Sequence, residues 1–245
     1  MVKIVTDTTS GLPRHLAEEY DIPIVPQIII FGEESYRDDT ELDTPAFLQK
    51  LRAAPSLPKT AAPPPALYRP IFERLLAEAE TIICLHPSTE LSGTVRSATV
   101  ARQDFPDADI RVVDTRVIAS PLATMVELAA RWAEEGVDAD AIVARLEELT
   151  RRCRIYFLVA TLEYLAKGGR IGGAAALLGT VLRVKPILTM RDGQVEAHDR
   201  QRTQSRAIAR LKELVAAELP PAGTGHLSVM HAGVPAEAET LAADL

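Results

Sequence analysis

Short apolar runs recur along this chain, each closed by a polar or glycine-rich break. Residues 2–5, 24–30, 81–85, 110–113 and 155–159 are predominantly apolar stretches of strand length. Pro26 inside the second favours an edge strand or a bulge there. Between the runs the period lengthens to that of helices, over about 45–53, 66–80, 95–103, 121–135 and 139–152. Asp43 or Thr44 caps the first of these, with Pro45 at its first turn. The second carries an apolar face of Leu67, Ile71, Leu75 and Leu76. Strand–helix alternation of this kind predicts an α/β domain with a parallel sheet over residues 1–150. Right-handed crossovers place its loops along one edge. After residue 150 the pattern changes. Residues 185–190 and 194–198 flank Arg191-Asp192-Gly193, a hairpin signal. A helix to about residue 218, a strand at 227–231 and a helix over 235–245 follow. Residues 151–245 therefore read as an α+β domain, ending where such a sheet would take one more strand.

The polar breaks carry the candidate chemistry. Thr6 to Ser10 is a run of small polar residues at a strand end, where α/β sheets gather ligands. It also fits a helix-capping cluster before Pro13. The proline-rich segment 55–65 reads as extended chain, with Lys59-Thr60 its only polar pair. The strand at 81–85 runs into HPSTELSGT, and Ser92 is placed to cap the helix that follows. A hydroxyl, a glycine and free amide groups at a helix start suit an anion, although plain capping fits the same residues.

TLEYLAKGGRIGGAAALLGTVLRVKPIL, residues 161–188, is the most organised stretch. Thr161 caps a short helix, which Lys167-Gly168-Gly169 ends. A second glycine pair, Gly172-Gly173, precedes a small-residue helix starting at Ala174. Two glycine pairs around Arg170 fit either a C-cap followed by tight packing, or a loop presenting Lys167 and Arg170 to an anion. The GG-x-x-GG spacing matches neither a dinucleotide fingerprint nor a P-loop. Arg202 and Arg206 share a helical face, either solvated or docking an anionic group.

Composition narrows the function classes. With 245 residues, 47% of them hydrophobic, the chain can bury a substantial core. A net charge of −7 and 4% aromatic residues argue against nucleic acid as the main partner. Cys84 and Cys153 sit in or beside apolar runs and read as buried thiols. No apolar run reaches the length of a membrane span, about 18 residues. MVKIVTD reads directly as a strand without a signal-peptide pattern, so the expected location is cytoplasmic. No Ser-His-Asp or metal-ligand spacing stands out among the five histidines.

Laid out in this order, the chain resembles the DegV family of bacterial lipid-binding proteins over nearly its whole length. VTDTTSGLP resembles the family's VTDST-x-DLP, and HPSTELSGTVRSA its loop-and-helix signature. The 161–188 block resembles its most specific segment, and DGQVEAHDRQRTQ its hairpin and arginine turn. KTAAPPP matches the family's TS-x-PS segment in place only, with Ala61 where the family has Ser. The resemblance implies a two-domain DegV-like fold, with a long-chain fatty acid in a tunnel between the domains. It implies that Thr60 and Ser92 bond the carboxylate; the amide of Gly93 or Thr94 is read as a further donor. It implies that Arg170 and Arg202 face a separate fatty-acid kinase that some members serve. No metal or cofactor is expected beyond the bound fatty acid. The family's closing His-Thr-Gly-Pro-Gly-type segment, whose His lies by the head group, is not matched before Leu245.

Two other readings remain. One is a small-molecule phosphotransferase or hydrolase at the interdomain cleft, using Asp7, His86 and Arg170. The other is a regulatory interaction protein. The absence of a base placed beside Thr60 or Ser92 favours a carrier.

Overall fold

The computed structural model describes residues 1–178, 184–220 and 225–245. They divide into two compact units, Met1–Cys153 and Arg154–Leu245.

In the first unit the elements run β1 (Val2–Asp7), α1 (Arg14–Glu19), β2 (Ile24–Val25), β3 (Ile28–Phe31), β4 (Glu34–Arg37), α2 (Thr44–Ala53) and β5 (Lys59–Ala61). Then come α3 (Arg69–Leu76), β6 (Thr81–His86), α4 (Thr94–Ala101), β7 (Asp109–Asp114), α5 (Ser120–Glu134) and α6 (Ala139–Arg152). Strands β2, β1, β6 and β7 form a parallel sheet in that order. Every residue of β6 is buried, as expected for a continuous apolar run at the centre of a covered sheet. Its alternate side chains go to opposite faces. Ile82 and Cys84 join Val5, Tyr68, Phe72, Leu75 and Ala98 in one cluster, on the α3 and α4 side. Helix α5 covers β1 and β6 and packs against α6, burying Leu122, Met125, Val126, Ile142 and Leu146.

The stretch expected as one strand, 24–30, is two. Pro26, which has no N–H for a ladder, ends the parallel pairing after Val25. β3 then turns into an antiparallel hairpin with β4 and also pairs with β5, Ile29 opposite Thr60. The proline-rich segment is thus an edge strand of a second small sheet. The helix expected over 66–80 breaks into a 3₁₀ turn, Pro65–Leu67, and α3, which starts with Pro70 in its first turn.

In the second unit, β8 (Tyr156–Leu158), α7 (Glu163–Lys167), β9 (Lys185–Arg191), β10 (Gln194–Gln201), α8 (Gln204–Glu218) and α9 (Pro235–Asp244) follow. β10, β9 and β8 form an antiparallel sheet. The hairpin expected from Asp192-Gly193 is present, and both residues have positive φ, 49° and 82°. Ile187, Leu211 and Leu214 form the core between sheet and α8, with Tyr156, Leu158 and Leu241 packed against it. The strand expected at 227–231 does not form; those residues are irregular and mostly exposed. The helix expected from Ala174 is a 3₁₀ segment, Gly172–Leu177, in which Ala174 is buried. The part of that block at 179–183 lies outside the described residues.

The second glycine pair has a packing cause. Gly172 has φ +51°, and a Cβ there would collide with the Val195 carbonyl oxygen of β10. A Cβ on Gly173 would meet the Glu196 carboxylate, a side chain that can move. Gly169 also has positive φ, +74°, but open space around it. Gly169→Ala is therefore expected to cost only the left-handed strain, about 1 kcal/mol. Gly172→Ala meets both strain and backbone collision and is expected to cost clearly more in urea unfolding. Equal losses would show that the approach to β10 imposes no constraint.

Candidate functional site

The parallel sheet reverses its winding direction between β1 and β6, since β2 lies on one side of β1 and β6 on the other. Crevices at such switch points, outside the strand carboxyl ends, are where open α/β sheets bind ligands. Here the two strands end in Asp7 and His86. Val5 stands opposite Cys84 in the register, so two residues on, Asp7 reaches the same face as His86.

A buried polar network fills this place. Asp7 Oδ2 accepts from His86 Nδ1 at 2.7 Å. Asp7 Oδ1 accepts from the Thr9 amide at 3.0 Å, the Thr9 hydroxyl at 2.6 Å and Gln27 Nε2 at 3.0 Å. His86 Nε2 lies 3.3 Å from the Tyr68 hydroxyl. Nδ1 faces a carboxylate that already collects donors, so it carries the ring proton, and Nε2 accepts from Tyr68. Burial pushes the Tyr68 hydroxyl far above the usual phenol range, which keeps it a donor. Asp7, His86, Tyr68 and Thr94 are all fully buried.

The network continues toward the surface. Gln27 Nε2 also reaches Thr94 Oγ1 at 3.0 Å, and Thr94 Oγ1 lies 2.8 Å from Ser92 Oγ. Ser92 is half-buried and Gly93 exposed. Ser92 does not cap α4, contrary to expectation. The cap position belongs to Gly93, with no side-chain bond, and the helix starts at Thr94. The reason lies in the preceding turn: the Ser88 carbonyl accepts from the Leu91 and Ser92 amides, which draws Ser92 back one residue.

Thr60 lies exposed on β5. Ala62, two residues later, has its Cβ 3.6 Å from where a Cβ on Gly93 would stand. The strand carrying Thr60 thus runs against the start of α4. Thr60, Ser92, Gly93 and Thr94 belong to one neighbourhood of the first unit.

The Thr6–Ser10 loop spends its hydroxyls internally. Asp7 caps a 3₁₀ turn, Thr8–Ser10, and Ser10 Oγ donates to the Asp7 carbonyl at 2.7 Å. Thr8 Oγ1 donates to Asp38 Oδ2 at 2.8 Å. Among the described residues no group of three or more His, Cys, Asp or Glu side chains could hold a metal. No helix among them is long and apolar enough to cross a membrane.

The family model described as "uncharacterised protein, DegV family" matches residues 1–245. The chain belongs to the DegV family. A DegV domain-containing protein of Halalkalibacterium halodurans is 36% identical over 245 residues, covering 100% of this chain and 87% of that protein. The fold matches that of a DegV family protein of Thermus thermophilus, described for its fatty-acid binding. Its TM-score is 0.83 at 39% identity, over 89% of this chain and 77% of that one. It also matches a stearic-acid-binding protein of Eubacterium ventriosum, with TM-score 0.81 at 30% identity over the same shares.

In the second unit of this DegV chain the two arginines singled out from sequence are both exposed. Arg170 follows α7 and one of its guanidinium nitrogens donates to the Gly168 carbonyl at 2.5 Å. Arg202 immediately precedes Thr203, which caps α8 through the Arg206 amide at 3.3 Å. Lys167 is held by Glu163 at 2.6 Å one turn back on α7.

Gln27 and Tyr68 were not legible as site residues. A glutamine between apolar runs and a tyrosine before a helix carry no motif. A partial signal was available for His86, the polar residue directly after TIICL at a strand end.

Asp38 sits at the rim of the network, with Oδ1 buried and without a hydrogen-bond partner among the described residues. Burial raises its carboxyl above the usual range, only partly offset by the Thr8 hydroxyl. A carboxyl whose folded value is raised stabilises fully below its unfolded value, near 4, and loses that contribution as pH rises through the folded one. Asp38→Asn stays neutral throughout. Its melting temperature relative to the parent is therefore expected to rise from pH 4 to pH 7; a flat difference would refute this.

Proposed function

We propose that this chain is a non-catalytic carrier that holds a long-chain fatty acid by its carboxylate and presents it to a fatty-acid kinase. The observation that supports the reading is the placing of the Ser92–Thr94 pair at the switch point, with the segment just after Thr60 packed against Gly93. The Ser92–Thr94 hydroxyl pair, the amides at the start of α4 and the strand bearing Thr60 share one neighbourhood. The stearic-acid-binding and fatty-acid-binding descriptions of its relatives point to the same ligand class. The tail supplies most of the affinity. About 14 methylenes at ~0.8 kcal/mol each amount to roughly 11 kcal/mol before the costs of association. The head then needs only a few well-placed donors.

The hydrolase or phosphotransferase reading is disfavoured by burial. Asp7 and His86 are both 0% exposed, and each ring nitrogen of His86 has a protein partner. A general base must reach the proton it removes, directly or through one water. Arg170 and Arg202 remain exposed cations, and we assign them to the kinase or the transferred phosphoryl group.

Native mass spectrometry of the purified protein is expected to show a bound mass matching a fatty acid; a nucleotide or sugar phosphate would refute the reading. Thr60→Val and Ser92→Ala each remove a hydroxyl donor to a charged group, worth about 1.5–3 kcal/mol. Each is expected to weaken fatty-acid binding roughly 10–100-fold. Ser92 is not the helix cap, but Ser92→Ala leaves the buried Thr94 hydroxyl without its acceptor, so the melting temperature should fall modestly. Arg170→Ala should keep fatty-acid affinity and impair acyl-phosphate formation with a kinase. Loss of affinity in Arg170→Ala would place that residue in the binding site instead.

A further inference from the structure

We infer that Gln27 and Thr94 are positioning residues that fix the direction of the Ser92 hydroxyl, so that the site selects head groups offering an acceptor. This rests on the fatty-acid reading above and goes further by naming what sets the head-group preference.

The argument starts at Asp7. Four donors converge on it: the Thr9 amide and hydroxyl, Gln27 Nε2 and His86 Nδ1. A carboxylate only accepts, so the Gln27 amide must turn its nitrogen toward Asp7. The same nitrogen lies 3.0 Å from Thr94 Oγ1. Its two hydrogens therefore go one to Asp7 and one to Thr94. Thr94 Oγ1 thus accepts from Gln27, and its own hydrogen must find a partner inside the protein, because Thr94 is 0% exposed. The Ser92 oxygen, 2.8 Å away, is the acceptor the structure offers it among the described residues. Ser92 consequently accepts from Thr94 and keeps its own hydrogen for a group outside the network. All bonds in the row run in one sense, from Gln27 to Thr94 to Ser92, which strengthens each.

The sense of this row has a chemical consequence. A carboxylate meets an outward hydroxyl donor with a lone pair. A primary ammonium on the same chain brings only donors, leaving the Ser92 hydrogen without an acceptor. An alcohol offers one neutral oxygen and falls between. In any site built on Ser92 alone the hydroxyl could rotate to suit each of the three.

The test measures binding of palmitate, hexadecanol and hexadecylamine to the full chain by competition against one fluorescent fatty acid. The parent is expected to prefer palmitate over hexadecylamine by at least about 10-fold, the factor for one charge-assisted hydrogen bond. This readout needs no variant, so it holds even if a network variant fails to fold. Thr94→Val keeps shape but removes the relay; Ser92 can then rotate, so palmitate affinity should change little while hexadecylamine affinity rises, narrowing their ratio by about 10-fold. Thr94→Ser should restore the ratio. Gln27→Met, which removes both donors, should narrow it as Thr94→Val does. A parent that binds the amine as well as the acid overturns the inference. So does a folded Thr94→Val protein with an unchanged acid-to-amine ratio. A parent that binds none of the three probes overturns the fatty-acid reading itself.

Discussion

The lateral pairing of β1 with β6 is the constraint on which the ligand-facing end of the first unit depends. Its register, Val5 opposite Cys84, fixes which side chains share a face. Slipping one strand by a single residue would exchange the faces of its side chains. Asp7 would then point away from His86, and Val5 away from Tyr68, Phe72 and Leu75. The apolar cluster and the polar network are therefore two readouts of one register. Burial of Val5, Cys84 and Ile82 holds the strands in place, and the polar ends of the same strands inherit their alignment.

That dependence also explains which features the sequence carried. The parallel sheet was visible because β6 is a continuous apolar run and its neighbours resemble it. The hairpin was visible because Asp192-Gly193 supplies the positive φ values its turn demands. The second small sheet was not visible. Lys59–Ala61 is three residues long and exposed, so it has no alternation to read; only its pairing with β3 makes it a strand. The Leu227–His231 stretch shows the converse error. LSVMH has strand-like residues, but the stretch is irregular and mostly exposed. The site divides in the same way. Thr60, Ser92, Gly93 and Thr94 came from motif resemblance, whereas Gln27 and Tyr68 depend on contacts 18 to 67 positions apart in sequence.

The two glycine-rich places serve different ends. At Gly172 the backbone of the 3₁₀ segment comes so near β10 that no side chain fits. At Gly93 a side chain would have room, with Ala62 at ordinary contact distance. The first is a packing requirement of the second unit. The second imposes no such constraint: Gly93 is exposed at the cap of α4. Reading both as one kind of loop from composition alone would merge a structural need with a chemical opportunity.

The polar network also bears on when this end of the unit comes into being during folding. Asp7 meets Gln27 and His86 across separations of 20 and 79 residues, and Gln27 meets Thr94 across 67. Contacts so distant in sequence form only after the intervening loops have closed. A chain that has made β1 and its early helices, but has not yet placed β6 and α4, holds no part of the row from Gln27 to Ser92. The arrangement is therefore a property of the assembled unit and of no local segment. Amide protons at Thr94 and Gln27 should accordingly exchange through cooperative opening rather than local fraying.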